Sequence, residues 1–292
     1  MHQAAKEVIF SSLTYAIMTA AAKWLEQAQI PVFEIVAFRC LVSLVISYIA
    51  IKRKGISPFG QQKGLLLLRG LFGFAGAICI FYAVVLLPLA EATIIQFTYP
   101  VFTLLLAFLF LKEPVKLLTL FASLISLTGI VIMLYPELIH LDFARKTALS
   151  TLGIGVALLA ALSLAATYVV VKKLAKTEDS EVTVFYFPLV GLPLSLLLLG
   201  EQFVMPSLTL FIILLVVGIC SQLSQLMLSN AMHQLSAGIA TAYRYTQIVF
   251  SILIGWLVFN EVPVIWTYIG GVFILAGTLR NIRSDDLDEG KS

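Results

Sequence analysis

Residues 83–129 read AVVLLPLAEATIIQFTYPVFTLLLAFLFLKEPVKLLTLFASLISLTG, and residues 231–277 read AMHQLSAGIATAYRYTQIVFSILIGWLVFNEVPVIWTYIGGVFILAG. At a shift of 148 residues the two stretches share 13 identities over 47 ungapped positions. Ala83, Leu87, Ala92, Thr93, Thr98, Val101 and Phe102 meet Ala231, Leu235, Ala240, Thr241, Thr246, Val249 and Phe250. Leu105, Leu109, Glu113, Thr119, Leu127 and Gly129 meet Leu253, Leu257, Glu261, Thr267, Leu275 and Gly277. Apolar composition accounts for matching leucines and alanines. A glutamate, a glycine and three threonines falling in one register point to an internal duplication.

Working outward, 60% of the 292 residues are apolar and 12% are charged. A soluble domain carries about 25% charged residues and needs polar atoms to cover its surface. The expected solvent is therefore lipid. A spanning helix needs ~20 mostly apolar residues, and ten such runs are found near 7–25, 32–51, 65–87, 90–111, 116–135, 150–172, 182–199, 209–232, 236–259 and 264–281. Turn and charge signals separate them, such as Lys52-Arg53-Lys54-Gly55, Leu87-Pro88, Lys112-Glu113-Pro114 and Thr177-Glu178-Asp179-Ser180. Lys6, the apolar stretch Val8 to Met18 and the small residues Thr19 to Ala22 resemble a signal peptide. They are read as the first span, because removing them would leave one helix without its repeat partner.

The duplication divides ten spans into five and five. Five is odd, so the second copy enters the membrane from the opposite side, as in the inverted repeats of secondary transporters. The expected fold is an all-α membrane protein with ten transmembrane helices as two inverted five-helix repeats, 1–148 and 149–284, and a polar cytoplasmic tail at 285–292. With the N-terminus in the cytoplasm, 14 basic residues fall on the cytoplasmic side and 3 on the outer side, leaving Arg39 and Arg244 within spans. Arg69 is counted with the cytoplasmic group. The positive-inside bias then places both termini in the cytoplasm of a multi-pass cell-membrane protein.

Leu111-Lys112-Glu113-Pro114 followed by Gly129, and Leu257-Val258-Phe259-Asn260-Glu261 followed by Gly277, resemble the closing signature of the EamA domain. Phe38-Arg39 in the second span is similar to that family's pattern, and so is Phe81-Tyr82-Ala83 leading into Leu87-Pro88-Leu89-Ala90-Glu91-Ala92. The chain as a whole resembles two tandem EamA domains of the drug/metabolite transporter superfamily. Val262 stands where the first copy has Pro114. The resemblance implies ten helices, inverted halves and secondary transport of small organic metabolites, amino-acid-like or other, often in the export direction.

Polar groups inside lipid are costly and usually face the bundle interior. Gln96, Tyr99 and Thr103 are spaced i, i+3, i+7 on one face of the fourth span; their repeat counterparts are Arg244, Gln247 and Ser251. These two stripes are read as walls of a central cavity, against a reading as interhelical hydrogen bonds. Arg244 is the sharpest candidate, since a guanidinium at ~13 Å depth cannot easily reach the surface and suits a carboxylate or phosphate. Gln222 and Gln225 with Ser229, and Tyr15 and Tyr168, are further substrate-binding candidates. Arg39 and Glu91 are read as an outer gate or structural ion pair. Gly70, Gly73 and Gly76 mark close helix packing, and Trp24, Trp256 and Trp266 mark the membrane interface.

No nucleophile elbow, His-Glu-x-x-His, phosphate loop or metal-spaced cluster occurs. The chain is therefore not read as an enzyme, and neither cofactor nor metal is expected. Cys40, Cys79 and Cys220 sit singly in apolar runs. The basic residues are not massed on one face, so nucleic acid is not an expected partner. The partners are a small-molecule substrate and membrane lipid, with a proton or counter-substrate supplying the coupling. An intramembrane enzyme and a channel are the competing classes; a channel would need rings of charge that the spans lack.

Overall fold

The computed structural model describes residues 2–86, 89–113, 117–133, 135, 151–260 and 265–289. The described residues form twelve helices: α1 His2–Gln27, α2 Val32–Lys54, α3 Lys63–Leu86, α4 Leu89–Gln96, α5 Tyr99–Leu111 and α6 Leu117–Met133 from the first half; α7 Thr151–Leu174, α8 Ser180–Leu199, α9 Leu208–Ala231, α10 Ala237–Tyr243, α11 Thr246–Phe259 and α12 Ile265–Glu289 from the second. Their ends follow local chemistry. Gly55, at φ 68°, closes α2 by donating its N–H to the Ile51 and Lys52 carbonyls. Lys52, Arg53 and Lys54 fill that last turn, where cations oppose the helix dipole. Asp179, Ser207 and Ser236 cap the first turns of α8, α9 and α10 with their side-chain oxygens.

Among the described residues, seven segments are long and apolar enough to cross a membrane, with shorter apolar helices at Tyr99–Leu111, Leu117–Ile132 and Ile265–Gly277 beside them. The outward surface is apolar: Phe110 is 71% exposed, Leu197 77% and Leu257 75%. Many serines and threonines of the helices, with Gln222, Arg69 and Arg244, are turned inward. Polar groups are thus buried and hydrocarbon is presented outward, which is the arrangement lipid requires. The chain is an all-helical, multi-pass membrane protein.

Two spans that read as continuous in the sequence are broken. The stretch 90–111 divides at Phe97-Thr98, and 236–259 divides at Arg244-Tyr245. At each break the backbone turns to i→i−3 hydrogen bonds: Thr98 N–H to Ile95 O and Val101 N–H to Thr98 O, then Arg244 N–H to Thr241 O and Gln247 N–H to Arg244 O. In the first half, Pro100 removes the donor that would have reached the Gln96 carbonyl. In the second half the matching residue is Ile248, yet the break persists. Tertiary packing therefore holds it there, and a mid-helix 3₁₀ stretch of this kind is a common hinge.

The halves interleave rather than lie side by side. Repeat counterparts are α1/α7, α2/α8, α3/α9, α4–α5/α10–α11 and α6/α12. The main packing partners respect this exchange: α1 lies on α9 as α7 lies on α3, α1 on α11 as α7 on α5, and α2 on α9 as α8 on α3. The two self-paired contacts are α2 on α8 and α6 on α12. Single residues repeat the pattern. Tyr245 donates its hydroxyl to the Phe97 carbonyl at 3.0 Å and stacks on that ring with centroids 6.3 Å apart. Ser126 likewise donates to the carbonyl of its own counterpart, Ile274, at 3.5 Å. Gly129 faces the Gly270 carbonyl and Gly277 faces the Ala122 carbonyl, each at 2.6 Å from where a Cβ would stand. Each contact maps onto itself or its mate when the halves are exchanged, as a two-fold axis demands.

Each end of the bundle is tied by a carboxylate from one half that accepts backbone N–H groups of the other. Glu178 Oε1 accepts from Gln61 N at 2.6 Å and Gln62 N at 2.5 Å. At the opposite end, the buried Glu34 accepts from Val204 N at 2.9 Å. Charge-assisted bonds of this kind contribute ~1.5–3 kcal/mol each. Glu178→Ala leaves two backbone donors without their acceptor, so it is expected to lower the unfolding midpoint of the detergent-solubilised protein by several degrees. A midpoint equal to that of the parent would show that this tie contributes nothing.

Candidate substrate cavity

The helix packing leaves a cavity of ≈ 120 Å³ among α1, α2, α3, α7, α8, α9 and the α10–α11 break. Three arginines line it: Arg39 from α2, Arg69 from α3 and Arg244 from the break. Tyr15, Thr167, Tyr168, Thr183, Phe187, Gln225 and Ser229 supply much of the remaining wall, and among the described residues no aspartate or glutamate lines it.

Arg244 reaches the cavity because α10 ends at Tyr243 and the chain turns there. Its Nη1 donates to Ser11 Oγ at 3.1 Å and its Nη2 to Gln247 Oε1 at 3.0 Å. The guanidinium lies over the Tyr15 ring, 4.8 Å from its centroid, and within hydrogen-bonding range of the Tyr99 side chain. Arg69 donates through Nη2 to Gln225 Oε1. Arg39 and Arg69 both lie over the Phe187 ring, at 5.0 and 5.2 Å. Phe187 is the repeat counterpart of Arg39, so these two meet near the pseudo-axis. Arg69 and Arg244 are only 5% and 3% exposed. The buried Nε atoms of all three arginines and the Thr183 Oγ1 find no partner among the described protein atoms. Buried polar atoms are nearly always satisfied, and the four residues that carry these orphans all line the cavity.

Six of the residues selected from sequence share this cavity: Tyr15, Arg39, Tyr168, Gln225, Ser229 and Arg244. Gln247 and Tyr99 stand behind it and hold Arg244; Tyr99 also packs against Tyr168, with ring centroids 5.5 Å apart. Thr103 returns its hydroxyl to the Tyr99 carbonyl at 2.8 Å. Gln222 donates to Ser47 Oγ at 2.6 Å, joining α9 to α2. Gln96 packs among Ile80, Ala83, Ala92, Ala157 and Ala160, and Ser251 lies on α11 away from the cavity lining. The paired stripes at 96/99/103 and 244/247/251 presuppose straight helices, and the breaks at 97–98 and 244–245 rotate their members apart. The Glu91 side chain lies outside the described residues, so the Arg39–Glu91 pair has no structural account.

Arg69 is the main correction. Counted as a cytoplasmic flanking residue, it lies six positions inside α3, ~9 Å along the axis, and its side chain turns into the bundle. Gly73 makes room for it: a Cβ there would stand 3.2 Å from Arg69 Nη1 and 3.0 Å from the Phe187 ring. Thr167, Thr183 and Phe187 carried no sequence signal, because a threonine or phenylalanine in an apolar span is unremarkable until its neighbours are known. Gly70 and Gly76 do pack closely, against the Tyr186 carbonyl of α8 and Leu164 of α7.

The motif glutamate also acquires a role. Glu113 Oε2 accepts from Ala237 N at 3.1 Å, so the end of α5 caps the first half of the broken span in the other repeat. A carboxylate there satisfies an orphan donor and complements the helix dipole. Its counterpart Glu261 lies outside the described residues.

Comparison with known proteins agrees with this architecture. The model of the EamA-like transporter family matches residues 7–135 and 151–282. The chain is 30% identical over 277 residues to the pseudopaline exporter CntI of Pseudomonas aeruginosa, covering 94% of each. It is 29% identical to solute carrier family 35 member G1 of Mus musculus, covering 93% of this chain and 76% of that one. With the S-adenosylmethionine uptake transporter of Rickettsia bellii it shares 28% identity, over 87% of this chain and 84% of the relative. A solved crystal structure superposes with a TM-score of 0.79 at 20% identity, covering 95% of this chain and 94% of that one, which is a likeness of fold. A duplicated family signature, a helical bundle that exchanges its halves and transporter relatives along nearly the full length together place this chain in the EamA-like transporter family.

Proposed function

We propose that this protein is an alternating-access carrier that exports a small organic anion across the cell membrane, and that Arg244 contacts an anionic group of the substrate. The observation that carries the reading is a cavity lined by three arginines and, among the described residues, no carboxylate, with each guanidinium Nε unpartnered among the described atoms. A buried, uncompensated cation is costly, and an anionic ligand removes that cost. The repeats at 1–148 and 149–284 supply the two conformations, with the tail at 285–292 and both termini in the cytoplasm. The hinges are the breaks at 97–98 and 244–245, and the ties at Glu34 and Glu178 release alternately. Export is the direction named for the relative in Pseudomonas aeruginosa; uptake is named for the one in Rickettsia bellii.

Purified protein in liposomes distinguishes a carrier from a channel. Saturable flux with accelerated exchange when unlabelled solute is present on the far side is the expected result, and flux that rises linearly with concentration would reject it. The inversion is tested separately. Single cysteines at Glu113 and Asn260, the latter beside Glu261, are expected to react with an impermeant maleimide from opposite faces of the membrane. Labelling of both from one face would reject inverted halves.

A further inference from the structure

The three cationic side chains are not equivalent, and their grouping says something about the shape of the ligand. Arg39 and Arg69 share the Phe187 ring and lie within electrostatic reach of each other. Arg244 instead sits over Tyr15. Tyr168 lines the cavity with all three arginines and packs against Tyr99. The cavity therefore has two positive poles, Arg39–Arg69 over one ring and Arg244 over another, with Tyr168 in the shared wall. Each pole keeps a buried, unpartnered Nε, and at the first pole two like charges have no carboxylate between them among the lining residues. The guanidinium fork suits a planar carboxylate.

Resting on the anion-carrier reading, we infer that the substrate is a short dianion with a carboxylate at each end, one held by Arg39 and Arg69 and the other by Arg244, its carbon chain lying along Tyr168. The cavity volume of ≈ 120 Å³ sets the size. An engineered cavity of about 150 Å³ holds benzene, so a chain of about four or five carbons between and including the carboxyl groups fits. The lining offers no acidic side chain to an ammonium group. An amino-acid zwitterion with a single carboxylate would leave one pole unfilled and its own cation unpaired. A phosphate monoester would place its charge at one pole alone.

The test uses the full chain in detergent and reads the thermal unfolding midpoint against concentration of five probes. These are succinate, the longer dicarboxylate glutarate, butyrate, 4-aminobutyrate and glycerol 3-phosphate. Succinate or glutarate is expected to raise the midpoint saturably, with butyrate and 4-aminobutyrate binding about 10- to 100-fold more weakly, because a charge-assisted contact is lost. Arg244→Gln and Arg69→Gln are each expected to erase the difference between succinate and butyrate. Arg69→Lys, which keeps the charge, is expected to retain part of it and to show that the loss is not unfolding. Equal binding of butyrate and succinate by the parent protein overturns the dianion, as does stabilisation by glycerol 3-phosphate in place of both dicarboxylates or the absence of any shift with them. If butyrate binds as well as succinate while Arg244→Ala still blocks flux, the two-pole inference fails and the anion carrier stands. If Arg244→Ala leaves flux intact, both fail.

Discussion

Arg244→Ala is expected to abolish transport while leaving the amount of protein in the membrane unchanged. The guanidinium is 3% exposed and is positioned by Ser11, Gln247 and the rings of Tyr15 and Tyr99. None of these partners is a carboxylate, so truncation strands no opposite charge. Ser11 keeps its bonds to Ser224 on α9, at 2.6 Å to the carbonyl and 3.1 Å to the hydroxyl. The packing of α1 on α9 therefore survives. The substrate, by contrast, loses its partner. Truncating one member of a buried hydrogen-bonded charge pair costs ~2–5 kcal/mol, or about 30-fold to several thousand-fold in binding. Arg244→Lys retains the charge without the fork and is expected to recover part of the flux. Flux of the alanine variant in liposomes at parental rates would remove Arg244 from the transport mechanism.

The second large effect concerns the seam between α6 and α12. Gly129→Val and Gly277→Val are expected to cause equal and severe loss of folded protein. A Cβ at Gly129 would stand 2.6 Å from the Gly270 carbonyl and 2.9 Å from Phe273 Cβ. One at Gly277 would meet the Ala122 carbonyl at 2.6 Å and clash with Ser126. Backbone cannot retreat as a flexible side chain can, so the helices must separate. Overpacking costs ~1–3 kcal/mol and more where backbone blocks relaxation, and in lipid close helix packing is itself the main source of association. Gly271, on the same helix as Gly277, has nothing within 4 Å of its added Cβ. Gly271→Val is expected to elute as a single sharp peak in size-exclusion chromatography, while the seam variants aggregate. A stable Gly129→Val alongside a collapsed Gly277→Val would contradict the two-fold relation, since the exchange makes these positions equivalent.

Much of the fold is legible in the chain itself because lipid is a demanding solvent. Twenty apolar residues in a row, interrupted by basic or turn residues, have few ways to satisfy their backbone other than as spanning helices. Glu113 with Gly129 and Glu261 with Gly277 announce the duplication, and Glu113 turns out to cap a broken helix of the opposite half. Arg244 is legible for a similar reason, being a charge in the middle of an apolar run. The interleaving of the halves, the breaks at 97–98 and 244–245 and the inward turn of Arg69 are not legible. Periodicity assumes a straight axis, and Ile248 shows that a break can be imposed without a proline. Arg69 is near enough to Lys63 to pass for a flanking residue, and only Gly73 and Phe187 reveal that space was left for it.

By itself, then, the amino-acid order determined that the chain lives in a bilayer and that its pattern occurs twice, since solvent and register act through composition and spacing alone; that the copies face opposite ways is the expectation parity adds. The tertiary structure decided which polar residues meet. Arg39, Arg69 and Arg244 come from three separate segments and have no basic counterpart in the other repeat: their mates are Phe187, Val217 and Gln96. Their convergence around one cavity depends on helix rotation, which leaves no mark on local sequence pattern; the glycines that allow close approach are visible in the chain, but which side chains they admit is not.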